Sequence, residues 1–236
     1  MSFAYNNMIN VIGDIMAQYK IAVDAGHGGS DYGATYNGRA EKDDNLKLAL
    51  AVGDILEKNV YTRTTDEYET PFKKATDAND AKADYFVSIH RNSSPTPNQY
   101  TGVETLVYNN SGIKSQMAAN INSELEKAGF KNLGITERPN LVVLKRTKMP
   151  AVLVEAGFIN NDKDNETFDK NFNQIANGIA DGILKTLGIK PKTNNTTAQA
   201  ASGEVPSVKS DSAKSTEITP AACEKKPAPP PKPSSN

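Results

Sequence analysis

Apolar runs of four to six residues alternate along this chain with longer stretches in which hydrophobic side chains return every three or four positions. Short apolar runs bounded by polar or turn residues are the pattern of strands, and the 3.6-residue period is that of amphipathic helices. Strands are expected over residues 20–24, 60–62, 85–89, 102–108, 141–144 and 151–155. Leu46, Leu50, Val52, Ile55 and Leu56 mark a first helix, with Asp43 and Asp44 at its positive N-terminal end. A second runs over 71–83, with Pro71 tolerated in its first turn. A third follows Ser111 as its cap, presents Ile113, Met117, Ile121 and Leu125, and stops at Gly129. The last stripe has the cleanest period: Phe168, Phe172, Ile175, Ile179, Ile183 and Leu187, closed by Gly188 and Pro191. Strands and helices in this alternation imply an α/β fold: a single domain over 20–189, with a mostly parallel or mixed sheet of about six strands flanked by helices.

Composition sets the limits of that domain. From Lys190 onward there is no aromatic residue, and 8 of the 13 prolines fall there, so residues 190–236 are read as a disordered tail or linker. That tail holds seven lysines against four acidic residues, a charge of +3. The net charge of −1 therefore leaves −4 on the rest. No basic stripe marks the folded part, which argues against a nucleic-acid partner. The single cysteine, Cys223, lies in the tail, so one chain can form neither a disulfide framework nor a thiolate metal site. Residues 1–19 lack the basic start and cleavage site of a secretory leader. Met8, Ile12, Ile15 and Tyr19 suit a short amphipathic helix there. No run is apolar enough to span a bilayer, and oligomeric state is not legible.

The chain has two histidines, His27 in "VDAGHGGSD" and His90 in "VSIHRNSS". Both lie where an apolar strand gives way to small and polar residues, and ligand sites of open α/β sheets gather at such strand ends. Taken singly, each is more readily a satisfied structural histidine. Together they can offer imidazole nitrogens to one divalent ion. Zinc in a catalytic site keeps three protein ligands and one open position. Glu41, in "RAEKDDNL", is a candidate third ligand, although a glutamate in a first helical turn also suits the helix dipole. Glu155 ends the apolar run "AVLVE", where a buried carboxylate needs a counter-ion, a metal or solvent. Beside a metal-bound water it is a general base.

These four segments, in this order, resemble the zinc-dependent N-acetylmuramoyl-L-alanine amidases, the catalytic domains of bacterial autolysins and phage endolysins. The likeness spans roughly residues 19–189. It implies that His27, Glu41 and His90 hold one Zn2+ and that Glu155 is catalytic. The implied reaction is hydrolysis of the amide between N-acetylmuramic acid and the L-alanine of the stem peptide, with peptidoglycan as substrate at the bacterial cell wall. The missing leader then fits either a lysin released through a membrane pore or a leader absent from this chain. Arg91 departs from the small residue common at that position; contact with an acidic stem-peptide group and a solvent-facing role are equally open. Asn92 and Asn160, beside the motif residues, are further substrate-contact candidates, and for Asn160 a turn or cap is the simpler role. Arg63, in "YTRTTD", is expected to pair with a nearby carboxylate. The rival functions are a zinc peptidase acting on wall peptides, a wall glycosidase and a catalytically inactive wall-binding module. The metallopeptidase helix motifs H-E-x-x-H and H-x-x-E-H are absent from the sequence.

Overall fold

The computed structural model describes residues 19–56 and 58–189. The tail over 190–236 and the helix expected over 1–19 lie outside the described residues, apart from Tyr19, whose ring meets Tyr85 edge-on at 5.9 Å.

The elements run β1 (Ile21–Ala25), β2 (Thr35–Tyr36), β3 (Arg39–Ala40), α1 (Glu41–Ile55), β4 (Asn59–Tyr61), α2 (Pro71–Asp80), β5 (Tyr85–Asn92), β6 (Val103–Val107), α3 (Gly112–Lys127), β7 (Asn132–Glu137), α4 (Val142–Arg146), β8 (Ala151–Phe158), α5 (Asp162–Lys170) and α6 (Phe172–Thr186). Six strands form one sheet in the order β4-β1-β5-β8-β6-β7, while β2 and β3 make a separate small hairpin. β4, β1, β5 and β8 are parallel; β6 runs antiparallel to β8, and β7 follows β6. The result is the mixed α/β sheet that the alternation of patterns implies.

β1 and β8 are buried along their whole length, as central parallel strands must be with helices on both faces. One face packs Val23, Val87, Ile89, Val152 and Val154 against α1, α3 and α6 through Leu48, Val52, Met117, Ile121, Ile175 and Ile179. The other packs Ala22, Phe86, Leu106 and Leu153 against Ala78 of α2 and Val143 and Leu144 of α4.

Three expectations change. The run 141–144 is not a strand: it forms the five-residue α4, because four apolar residues suit a short buried helix as well as a strand. The sixth strand is instead β7, an edge strand whose Gly134 (φ 89°) and exposed Leu133 hide its pattern. The long stripe from Phe168 is two helices, broken at Asn171, which caps the end of α5 and the start of α6. Gly188 closes α6 with φ 72°. Ser111 does sit at the N-cap of α3, but its side chain makes no cap hydrogen bond. Thr70 caps α2 through Lys73 N–H at 3.1 Å, with Pro71 directly after it.

The topology also says where to look for chemistry. From β1 the chain moves to β4 on one side of it, then to β5 on the other. The crevice beyond the carboxyl ends of β1 and β5 is therefore a switch point, the usual ligand position in open α/β sheets.

Candidate metal centre and catalytic carboxylate

His27 lies two residues past the end of β1, with a left-handed backbone (φ 59°) that few side chains adopt. The loop around it is tightly held. Gly26 N–H donates to the Ile89 carbonyl at 3.0 Å, and Gly28 and Asp31 exchange backbone hydrogen bonds of 2.9 and 3.0 Å. Gly26 must be glycine for a steric reason, because a Cβ there would overlap the His90 ring. That close approach brings β1 and β5 together, and the two imidazoles meet edge to face with centroids 4.9 Å apart.

Glu41 opens α1 between them. Its carboxylate is 4 % exposed. Oε2 lies 3.2 Å from His27 Nε2 and accepts from Ala34 N–H at 2.9 Å. Oε1 lies 2.9 Å from His90 Nδ1 and accepts from Arg91 N–H at 3.2 Å and Asn45 Nδ2 at 3.3 Å. One ligand atom from each of His27, Glu41 and His90 lies within 4.8 Å of the others, the one such group of three found among the described residues. Burial alone would raise the Glu41 pKa, but the two imidazoles outweigh it and hold the carboxyl well below its ordinary range. Burial likewise pushes His27 down, and the Glu41 and Asp31 carboxylates reverse this to about 9. The pocket therefore favours positive charge. Asp31 Oδ2 sits 2.8 Å from His27 Nδ1 and so turns Nε2 toward Glu41, the arrangement by which outer carboxylates orient metal-binding histidines.

Glu155 stands beside this group. In the sheet it lies directly opposite His90 of β5 and Glu104 of β6. Residues opposite one another project to the same face, so the three form a row across adjacent strands about 4.8 Å apart. Just beyond it β8 bulges: His90 to Asn92 in β5 spans Glu155 to Phe158 in β8, with Gly157 at φ 84°. Such a bulge re-aims side chains at the end of a ladder.

A sequence profile described as N-acetylmuramoyl-L-alanine amidase matches residues 21–185. The chain belongs to this amidase family. An endolysin of Bacillus phage SPP1 is 37% identical over 182 residues, covering 72% of this chain and 67% of that one. A sporulation-specific N-acetylmuramoyl-L-alanine amidase of Bacillus subtilis is 37% identical over 186 residues, covering 75% and 71%. Among solved structures, the catalytic domain of the amidase CwlV from Bacillus (Paenibacillus) polymyxa superposes with a TM-score of 0.67 at 36% identity, covering 73% of this chain and 100% of that domain.

The remaining candidates of this amidase chain hold the site's walls. Arg91 neither faces solvent nor offers a surface to a ligand: its side chain is 0 % exposed. Its guanidinium pairs with Asp44 at 2.6 Å, donates to Asn165 Oδ1 at 2.8 Å and stacks 4.1 Å from the Phe168 ring centroid. Burial pulls its pKa to about 10 against the Asp44 charge. Asn160 takes the turn-holding role: its side chain accepts from Ser94 N–H at 3.0 Å and donates to the Ser94 carbonyl at 2.7 Å. Asn92 is buried and donates to Glu104 Oε1 at 2.7 Å, and Glu104 also accepts from Thr136 at 2.8 Å. Arg63 contacts backbone carbonyls in place of the expected carboxylate. Most of these partners lie far off in sequence, 47 and 74 residues from Arg91 and 66 from Asn160, and left no local signal.

One substitution isolates the packing beneath the candidate ligands. Gly26 has an ordinary backbone conformation, so Gly26→Ala strains only the contact with His90. A displaced His90 ring is expected to lower turnover on peptidoglycan by about 10²-fold; if His90 is a ligand, metal content per chain, measured by atomic emission, falls with it.

Proposed function

We propose that this chain hydrolyses peptidoglycan at the amide between N-acetylmuramic acid and the L-alanine of the stem peptide. The observation that carries this is the meeting of His27, Glu41 and His90 around one point, with Glu155 next to His90. Two imidazoles and one carboxylate are the donor set of a catalytic zinc site with an open position. The low-lying Glu41 carboxylate and its paired rings suit a divalent cation. When bound, zinc would supply Lewis acidity, polarising a carbonyl and lowering the pKa of a water toward about 7.

The protein's own groups do the rest. His27 and His90 turn one nitrogen each toward Glu41, and Asp31 keeps His27 in that orientation. Glu155 takes a proton from the attacking water and passes it to the amide nitrogen as the bond to alanine breaks. Its place in the middle of a buried strand, paired on both sides, supports both transfers by limiting how far it can move. The products are a glycan strand bearing a lactyl carboxylate and a peptide with a free L-alanine amine.

Mass spectrometry of purified peptidoglycan after digestion tests the reading. New peptides beginning at alanine, and glycan strands stripped of peptide, are the expected result. New reducing sugar ends, cuts between amino acids, or no release at all would overturn it.

A further inference from the structure

Arg63 is 2 % exposed, and its guanidinium is spent on main-chain oxygen. Nε donates to the Ala25 carbonyl at 3.1 Å, Nη2 to the carbonyls of Gly26 (3.0 Å) and Lys42 (2.9 Å), and Nη1 to that of Thr65 (3.0 Å). A buried cation whose hydrogen bonds all go to neutral acceptors gives up its hydration with no direct ion pair to offset the loss, so the arrangement needs a reason. Its acceptors give one. Ala25 and Gly26 lead directly into His27, and Lys42 directly follows Glu41. A planar fork of donors can hold several acceptors at fixed relative positions, which a lysine cannot do.

Asp66, three residues on, grips the same two segments from their outer side. Its Oδ1 accepts from Gly29 N–H at 2.8 Å, and its Oδ2 pairs with Lys42 Nζ at 2.6 Å. Lys42 Nζ in turn donates to the Gly29 carbonyl at 2.9 Å. His27 thus lies between two tethered stretches, Ala25–Gly26 on one side and Gly29 on the other. The residue that follows Glu41 is tethered at both its carbonyl and its ammonium. A left-handed non-glycine residue persists only where its surroundings over-determine it, and His27 is surrounded in this way.

We propose that the segment Arg63–Asp66 is a positioning clamp for the metal centre, holding His27 and Glu41 at the separation a divalent ion requires. This rests on the reading of His27, Glu41 and His90 as ligands, but neither Arg63 nor Asp66 touches the ion. Both act on the residues beside the ligands, Gly26, Gly29 and Lys42, one step further out than the groups that touch the ligands and change affinity about 10–100-fold when altered.

The test is ion affinity of the folded chain, measured with Zn2+ against a chromophoric chelator, with thermal unfolding of the metal-free protein followed in parallel. Arg63→Lys keeps the charge and loses the fork; it is expected to weaken Zn2+ binding about 10-fold, the lower end of the range for groups that touch the ligands directly. Asp66 is half exposed, so Asp66→Ala should leave the metal-free melting temperature near that of the parent while weakening Zn2+ binding several-fold. Co2+ substituted into either variant should show an altered visible spectrum, a change of coordination that general loss of stability does not produce. Parent-like Zn2+ affinity and Co2+ spectrum in a folded Asp66→Ala protein would overturn the clamp, whatever Arg63→Lys does. A parent chain that binds no Zn2+ would instead overturn the ligand assignment itself.

Discussion

Glu155→Gln is expected to lower hydrolysis of purified peptidoglycan by about 10²–10⁴-fold, the range general acid–base groups contribute, while bound zinc stays at the parent level. Glutamine matches glutamate in shape, and the position is almost fully buried in a strand paired on both sides, so the fold has little to lose. The amide cannot accept the proton of the attacking water or return it to the leaving nitrogen. Turbidity loss of cell walls, with zinc measured on the same preparation, reads both quantities. Parent-like lysis by the variant would show that some other group moves the proton.

Removing the ion should cost at least as much. Chelation of the parent is expected to reduce hydrolysis by about 10³-fold or more, since the metal supplies several kcal/mol of charge stabilisation to the reacting centre. Zinc added back restores the parent. His90→Ala should be as inactive as the chelated parent and should not recover, because it removes one of the three proposed ligands. The two arms separate loss of the ion from loss of the place that holds it. Activity surviving exhaustive chelation, with zinc shown absent, would contradict the mechanism.

How far the sequence reaches depends on whether its signals are local. His27 and His90 stood out because the chain has two histidines and each follows an apolar run; Glu155 stood out as a charge ending the apolar run from Ala151, although β8 continues past it to Phe158. Each of these is visible within a dozen residues. The strands that carry them also follow from local pattern, since central parallel strands are apolar throughout. What was not legible is what those side chains rest on. The surroundings of Arg91 come from α1, α5 and the end of β8, so no window around "IHRNSS" contains Asp44, Asn165 or Phe168. The same holds for Arg63, whose acceptors sit on backbone and leave no trace in side-chain type. β7 escaped for a different reason. An edge strand with one neighbour needs little apolar alternation, and Asn132 and Gly134 read as a turn. The exchange of 141–144 for α4 reflects a true ambiguity, because four consecutive apolar residues carry neither a period of 2 nor one of 3.6.

His27, Glu41 and His90 converge where one shared ion would sit. Anomalous diffraction from crystals grown with zinc, recorded on both sides of the zinc absorption edge, tests that directly. A single peak bounded by His27 Nε2, Glu41 and His90 Nδ1, with the Glu155 carboxylate beside it, is the predicted result. A peak held by other residues, or none at the ends of β1 and β5 in crystals that contain zinc, would contradict it.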